Sequence, residues 1–278
     1  MSNLRRVVKV VEGRETSDGA GVRLKRSLGM PALDYLDPFL LLDEFKSDDS
    51  ADYIAGFPDH PHRGFETVTY MLAGSMEHKD HTGHTGALTA GSVQWMTAGR
   101  GIIHSEMPKQ EDGLMWGFQL WVNLPAGEKM CAPRYQDIPP NEIPVLTLED
   151  GAEVRVIAGK SGGLSGPVVG IATAPLYLDV KVPPQSRFEQ PVPSEHSAFV
   201  YAFEGEGKLG GEEVLRSGHL AVCGDGDAIA VETGKSPVRF LLLAAAPLIE
   251  PVARFGPFVM NTQEELIQAV RDFQTGSF

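Results

Sequence analysis

Cysteine is nearly absent from this chain. Cys131 and Cys223 are the two in 278 residues, and neither has a CxxC neighbour. That excludes a disulfide framework and makes a reducing cytosol the natural setting. Basic residues are also scarce: 24 Lys and Arg face 37 Asp and Glu, for a net charge of -13. Such a surface repels nucleic-acid backbone and anionic lipid, so direct nucleic-acid binding by a basic face is not expected. Long apolar runs are missing. The most apolar, FLLLAAAPL at 240–248, falls far short of the roughly 18 residues of a membrane span. The start, MSNLRRVVKVVEGRETSDG, lacks the sustained apolar stretch of a signal peptide. A cytoplasmic protein without membrane contact is the expectation.

Glycine (31) and proline (20) are plentiful, which fits many short strands joined by turns. Strand-like segments recur at 5–11, 67–73, 92–97, 117–123, 153–159, 176–182, 197–204, 219–223, 228–232 and 238–244. The chain runs through one plan twice. TVTYMLAGSMEH is followed by LTAGSVQWMTAG, and AFVYAFEGEGKLG by VLRSGHLAVCGDGD, aligning Tyr70 with Tyr201, Gly74 with Gly205 and Gly91 with Gly218. The spacing predicts a duplicated small β-barrel, each copy of roughly 100 residues, joined through a Pro- and Gly-rich middle. The expected boundaries are 1–140 and 141–278. Near the end, NTQEELIQAVRDFQ (261–274) predicts a helix with Leu266, Ile267, Val270 and Phe273 on one face. Thr262 and Glu265 have capping-box spacing. The helix is expected to pack back on the body.

Two residue pairs carry the chemistry: His60-Pro61-His62 in FPDHPHRGFETVTY, and His104-Ser105-Glu106 in GRGIIHSEM. On a strand, both members of such a pair point to one face. Two pairs on neighbouring strands aim three imidazoles and one carboxylate at a single point, a donor set for a divalent transition metal. Fe(II) suits it, as do Mn, Co, Ni or Zn. Six-coordination leaves two open positions, whereas tetrahedral zinc closes the site.

FPDHPHRGFETVTY, GALTAGSVQWMTAGRGIIHSEMP and GFQLWVNLP closely resemble stretches of pirins, members of the cupin superfamily. DPFLLLDEF and FGPFVMNTQEELIQA extend the resemblance over nearly the whole chain. It implies an all-β fold of two tandem cupin barrels of jelly-roll type, with one Fe(II) in the amino-terminal barrel held by His60, His62, His104 and Glu106. It also implies a monomer. Activities implied are quercetin 2,3-dioxygenase cleavage of a flavonol or related enediol, with a planar aromatic substrate and O2 as partners. The alternative is an iron-dependent, redox-responsive regulator that binds a protein partner.

Glu66 occupies the interval at which cupins in general place a glutamate ligand. It is expected beside the metal or as an alternative metal ligand, with Glu106 or Glu66 accepting the substrate proton, or else in a strand-surface ion pair with Arg63. His78, His81 and His84 lie among turn glycines and read as a polar hairpin near the barrel mouth. Gln119 is expected to face the pocket or to be an interior structural glutamine. Trp95, Trp116 and Trp121 read as core, or as a stacking wall for an aromatic substrate. The second barrel shows Glu195-His196-Ser197 and Ala228-Ile229-Ala230 where ligand pairs belong, and His196 and His219 lack partners. No metal is expected there.

Overall fold

The structure is a computed structural model that describes residues 2–211 and 213–278. Turn residues divide the chain into short strands, and those strands build two compact units. Neither unit is a contiguous half. One comprises residues 15–29, 37–140 and 248–278, the other residues 1–14, 30–36 and 141–247. The departure from a division at 140/141 has a local cause in strand pairing. The first strand, Val7–Glu12, pairs with His219–Cys223. The carboxy-terminal tail groups with the unit that carries the His-x-His pair.

That unit has an antiparallel sheet in the order Arg134–Ile138, Val93–Thr97, Phe65–Ala73, Met115–Asn123, Phe39–Ser47, Val22–Leu28, Arg14–Asp18. A four-stranded sheet runs Phe57–His62, Ile102–Pro108, Ser75–Asp80, Thr85–Thr89. Alternation gives each strand of the large sheet one face toward the small sheet. Leu24, Phe45, Met71 and Met115 from the large sheet pack there against Met76 and Leu88 from the small one. This apolar plug fills one part of the barrel and leaves the rest to polar side chains.

The tail adds the hairpin Ala253–Phe255 and Phe258–Met260 and then the helix Gln263–Thr275. The expected capping box is present: Thr262 accepts from the Glu265 amide, and the Glu265 carboxylate accepts from the Thr262 amide. The buried face differs from the expected one. Leu266 and Ala269 are buried, while Ile267 is 53% exposed and Phe273 38%. At 3.6 residues per turn, 266, 269 and 270 form the stripe, and 267 stands too far round to join it.

The other unit repeats the large sheet: Val7–Glu12, His219–Cys223, Ser197–Leu209, Val238–Ala245, Leu176–Val182, Glu153–Ala158, Val145–Thr147. The register repeats as well. Tyr70 stands opposite Val93 and Phe118, and Tyr201 opposite Leu220 and Leu241. Gly74, Gly91, Gly205 and Gly218 all take positive φ, from 69° to 86°, where a side chain is strained. The duplication is therefore one of topology and turn geometry. Phe188 and Ile229 join Val156, Leu178, Val200 and Leu242 in the apolar interior of this barrel.

Candidate metal centre

The two ligand pairs lie on paired strands. Phe57–His62 runs antiparallel to Ile102–Pro108, with His104 opposite His60 and Ile102 opposite His62. Period-two alternation turns His60, His62 and His104 to one side, and one ligand nitrogen of each comes within 4.8 Å of the others. His62 and His104 are buried, and His60 is half-buried. Burial pushes the His62 and His104 imidazoles well below the usual range, and the neighbouring imidazoles add to it. Both rings are therefore neutral near pH 7 and keep a lone pair for a ligand.

The hydrogen bonds also fit a metal. His60 Nδ1 lies 2.9 Å from the Pro58 carbonyl and can donate to it, which leaves Nε2 for a ligand. His104 Nδ1 lies 3.2 Å from His78 Nδ1. His104 Nε2 and His62 Nε2 are buried with no hydrogen-bond partner. Buried imidazole nitrogens without a partner are costly unless something occupies them, and a cation shared by three does so. The donor set thus fits a transition metal held through Nε2 of His60 and of His104 and through one of the two ring nitrogens of His62, both of which are without a partner.

Glu106 is on the same strand as His104, yet it stands outside the three-histidine set. Its carboxylate lines the adjoining cavity and is held from the facing sheet. The Thr69 hydroxyl lies 2.8 Å from Glu106 Oε1 and 2.6 Å from Gln119 Oε1, and it donates to one of them at a time. Gln119 Nε2 is 3.3 Å from Glu106 Oε2. Gln119 faces the cavity, as one of its two expected readings had it.

Thr69 and Gln119 belong to a longer row. Cross-strand register runs Arg26, Asp43, Gln119, Thr69, Gln94, Asp137 over six strands. Arg26 donates to both Asp43 carboxylate oxygens, from Nε at 2.8 Å and from Nη2 at 2.7 Å. Gln94 donates to Asp137 at 2.7 Å. The equivalent row in the other barrel reads Val156, Leu178, Leu242, Val200, Ala221, Val10. Sequence reasoning missed this row, because its register neighbours are 17 to 76 residues apart along the chain and only register aligns them.

Glu66 is not brought into the site. Thr69 faces the cavity, so Glu66, three residues earlier on the same strand, faces the other way. Thr97 Oγ1 donates to its Oε1 at 2.7 Å. Burial pushes its carboxyl up to about 7, against the opposing pull of the Thr97 and Trp95 hydrogen bonds and of Arg134. The Arg63 pairing expected for Glu66 goes elsewhere, to Asp272 of the terminal helix at 2.7 Å.

The three tryptophans separate. Trp95 is buried on the Glu66 face. Trp116 donates to Glu44 at 2.8 Å and lies under the Lys46 ammonium. Trp121 alone of the three lines the cavity, with its ring 5.3 Å from that of His62. The cavity is about 600 Å³ and carries Leu24, Leu41 and Phe57 among its apolar walls. Arg254 lines it from the tail, with its guanidinium 5.1 Å from the Trp121 ring. No sequence signal linked Arg254 to the ligands, since it lies some 150 residues from His104.

The histidine hairpin is also more than polar surface. His81 and His84 sit at its turn, but His78 is fully buried and meets the candidate ligand His104. His78 stands directly opposite Glu106 in register, which is why it points into the site. In the other barrel, His196 lies beside Arg5, which donates to its carbonyl, and His219 sits at a strand edge by Ser217.

Residues 21–122 match the family described as Pirin, and residues 177–278 match the Pirin C-terminal cupin domain. The chain belongs to the pirin family. A pirin-like protein of Caulobacter vibrioides is 51% identical over 276 residues, covering 99% of both chains. Human pirin is 48% identical over 280 residues, covering 99% of this chain and 94% of its own. A crystal structure described as quercetin 2,3-dioxygenase from Acinetobacter baumannii superposes with a TM-score of 0.91 at 32% identity, covering 99% and 98% of the two chains. The all-β fold of two cupin domains with a terminal helix is thereby established for this pirin. No helix among the described residues is long and apolar enough to cross a membrane.

Proposed function

We propose that this pirin is a metal-dependent dioxygenase of the quercetin 2,3-dioxygenase type, cleaving a flavonol or related enediol with O2. The observation that carries the reading is the buried three-imidazole cluster opening onto a 600 Å³ cavity with a carboxylate and an aromatic wall beside it. A cavity of this size lies in the range of small-ligand sites. Fe(II) is the metal assigned, one per chain, with His60, His62, His104 and Glu106 as the residues that hold it. When bound, such a metal supplies Lewis acidity and an electron path between substrate and O2.

The chain's own residues do the rest. Trp121, packed against Phe65 and Arg254, gives the cavity an aromatic wall, and Phe57 and Leu41 exclude water beside it. Glu106 accepts the proton of the substrate hydroxyl at a carboxylate oxygen. Thr69 and Gln119 hold that carboxylate in place, so little reorganisation is needed when the proton arrives. Glu66 has no part in the reaction, because it faces away from the cavity. The second barrel, with its apolar row, serves as structural support without a metal. The activity is placed in the cytoplasm, in a monomer.

The test is anaerobic reconstitution with Fe(II), followed by metal analysis and by quercetin absorbance with O2 uptake. Turnover should be present in the parent and lost in His62→Ala and Glu106→Ala. Absence of turnover on quercetin and on a panel of enediols at full iron occupancy overturns the reading. That outcome favours the iron-dependent regulator, for which a pull-down of protein partners from Fe(II)- and Fe(III)-loaded protein is the next measurement.

A further inference from the structure

Metal-binding histidines commonly donate their second ring nitrogen to an acceptor that orients the ring. His60 meets this pattern with the Pro58 carbonyl. His104 does not meet a carbonyl or a carboxylate. Its Nδ1 meets another imidazole, His78 Nδ1 at 3.2 Å, and that ring is fully buried. His78 Nε2 in turn lies 3.0 Å from the Tyr135 hydroxyl. Tyr135 lies by the Asp80 carboxylate, whose Oδ2 is buried with no hydrogen-bond partner of its own. Asp80 is itself fixed, because its Oδ1 accepts from the Thr82 amide, the Thr82 hydroxyl and the His84 amide at 2.8, 2.8 and 3.0 Å. His84 stacks on the Tyr135 ring at 4.1 Å and binds Asp137.

Two Nδ1 atoms 3.2 Å apart share one hydrogen. If His104 binds a metal through Nε2, its Nδ1 carries that hydrogen and His78 accepts it. His78 must then carry its own hydrogen on Nε2 and donate to Tyr135, whose hydroxyl is left to donate to Asp80. Ligation at one atom thus selects a single direction for the whole chain of hydrogen bonds. We propose that His78, Tyr135 and Asp80 form a positioning relay that orients His104 and sets its donor strength toward the metal. The relay rests on the metal reading above. It assigns a role to a hairpin whose histidines otherwise look like turn residues.

The probe is Co(II) alone, titrated into metal-free protein against a competing chelator, with visible absorption and proton NMR of the loaded form. Parent protein should bind Co(II) and show a hyperfine-shifted, exchangeable ligand N–H signal protected from solvent by the His104–His78 contact. His78→Phe should weaken Co(II) binding by about 10- to 100-fold, shift the visible bands and lose that signal. Tyr135→Phe keeps the ring stacked on His84. It should weaken binding by several-fold and shift the bands in the same sense, while the metal-free protein still unfolds cooperatively with a modestly lower melting temperature, since His78 Nε2 loses its partner. If His78→Phe does not fold, Tyr135→Phe decides on the same readouts. Affinities within twofold of parent and an unchanged spectrum in the folded variants overturn the relay. Failure of the parent to bind Co(II), or binding that survives His62→Ala, overturns the metal reading and the relay with it.

Discussion

Glu66 allows a measurement in which sign and size both follow from position. Its side chain is 2% exposed, its Oε1 accepts from Thr97, and burial raises its carboxyl from an ordinary value of 4.5 to about 7. Between those two values the folded protein keeps a proton that the unfolded chain releases. Stability must therefore fall as pH rises from about 4.5 to about 7, and level off above. At about 1.4 kcal/mol per pH unit, the gap corresponds to roughly 3 kcal/mol. Glu66→Gln keeps an oxygen for the Thr97 hydroxyl and removes the titration. The assay is urea unfolding of metal-free parent and variant at pH 5, 6, 7 and 8. Taking the difference cancels the histidines, which titrate in both proteins. The stability of the variant relative to parent should climb by roughly 2–3 kcal/mol over that range. Parallel pH profiles, or a difference that shrinks with pH, refute the argument. Metal affinity should not change in Glu66→Gln; a large loss would mean that the carboxylate reaches the metal after all.

Two other buried charges make separate predictions. Arg63 bonds the Arg100 carbonyl, pairs with Asp272 and covers the Phe278 ring at 4.5 Å. Because Asp272 keeps some solvent contact, Arg63→Ala should cost about 2–3 kcal/mol in urea unfolding. A double-mutant cycle with Asp272→Ala should show coupling of about 1 kcal/mol or more, and additive effects would refute the pairing. Lys129 donates to Gly64 O, Asn123 Oδ1 and Val259 O at 2.7, 2.6 and 3.0 Å, and burial lowers its ammonium to about 8 from 10.5. The fold then favours the neutral amine, so stability should rise between about pH 8 and 10.5 in the parent. Lys129→Met should lose that rise and cost about 2 kcal/mol at pH 7; a variant as stable as parent would show that the three oxygens find other partners.

The strands at 176–182, 219–223 and 228–232 were legible to the residue, and six of the other seven expected segments to within two, while the strand from Ser197 runs on to Leu209. Turn glycines and prolines mark strand ends locally, and period-two alternation marks what lies between them. His60, His62 and His104 were legible for the same reason, since His-x-His and His-x-Glu are statements about one face of one strand. The strands Phe39–Ser47 and Ile102–Pro108 were harder to read: the first is buried almost throughout, Asp43 and Glu44 included, so it shows no period-two alternation, and the second sits behind the Gly99–Gly101 turn. The helix was visible, but its buried face was misjudged by one residue, because a small Ala269 carries little weight in a hydrophobic pattern.

By itself, then, the sequence determined the fold class, the duplication and three converging imidazoles. These are short-range properties: what a residue's neighbours two to four positions away allow it to do. Tertiary structure decided the rest. It sent Glu66 away from the cavity, matched His78 to Glu106, aligned Thr69, Gln119, Asp43 and Arg26 into one row, and brought Arg254 and Trp121 to the same wall. Each of these depends on the register between strands far apart in the chain. Register is set when whole faces are buried together, so a single stretch of sequence does not contain it.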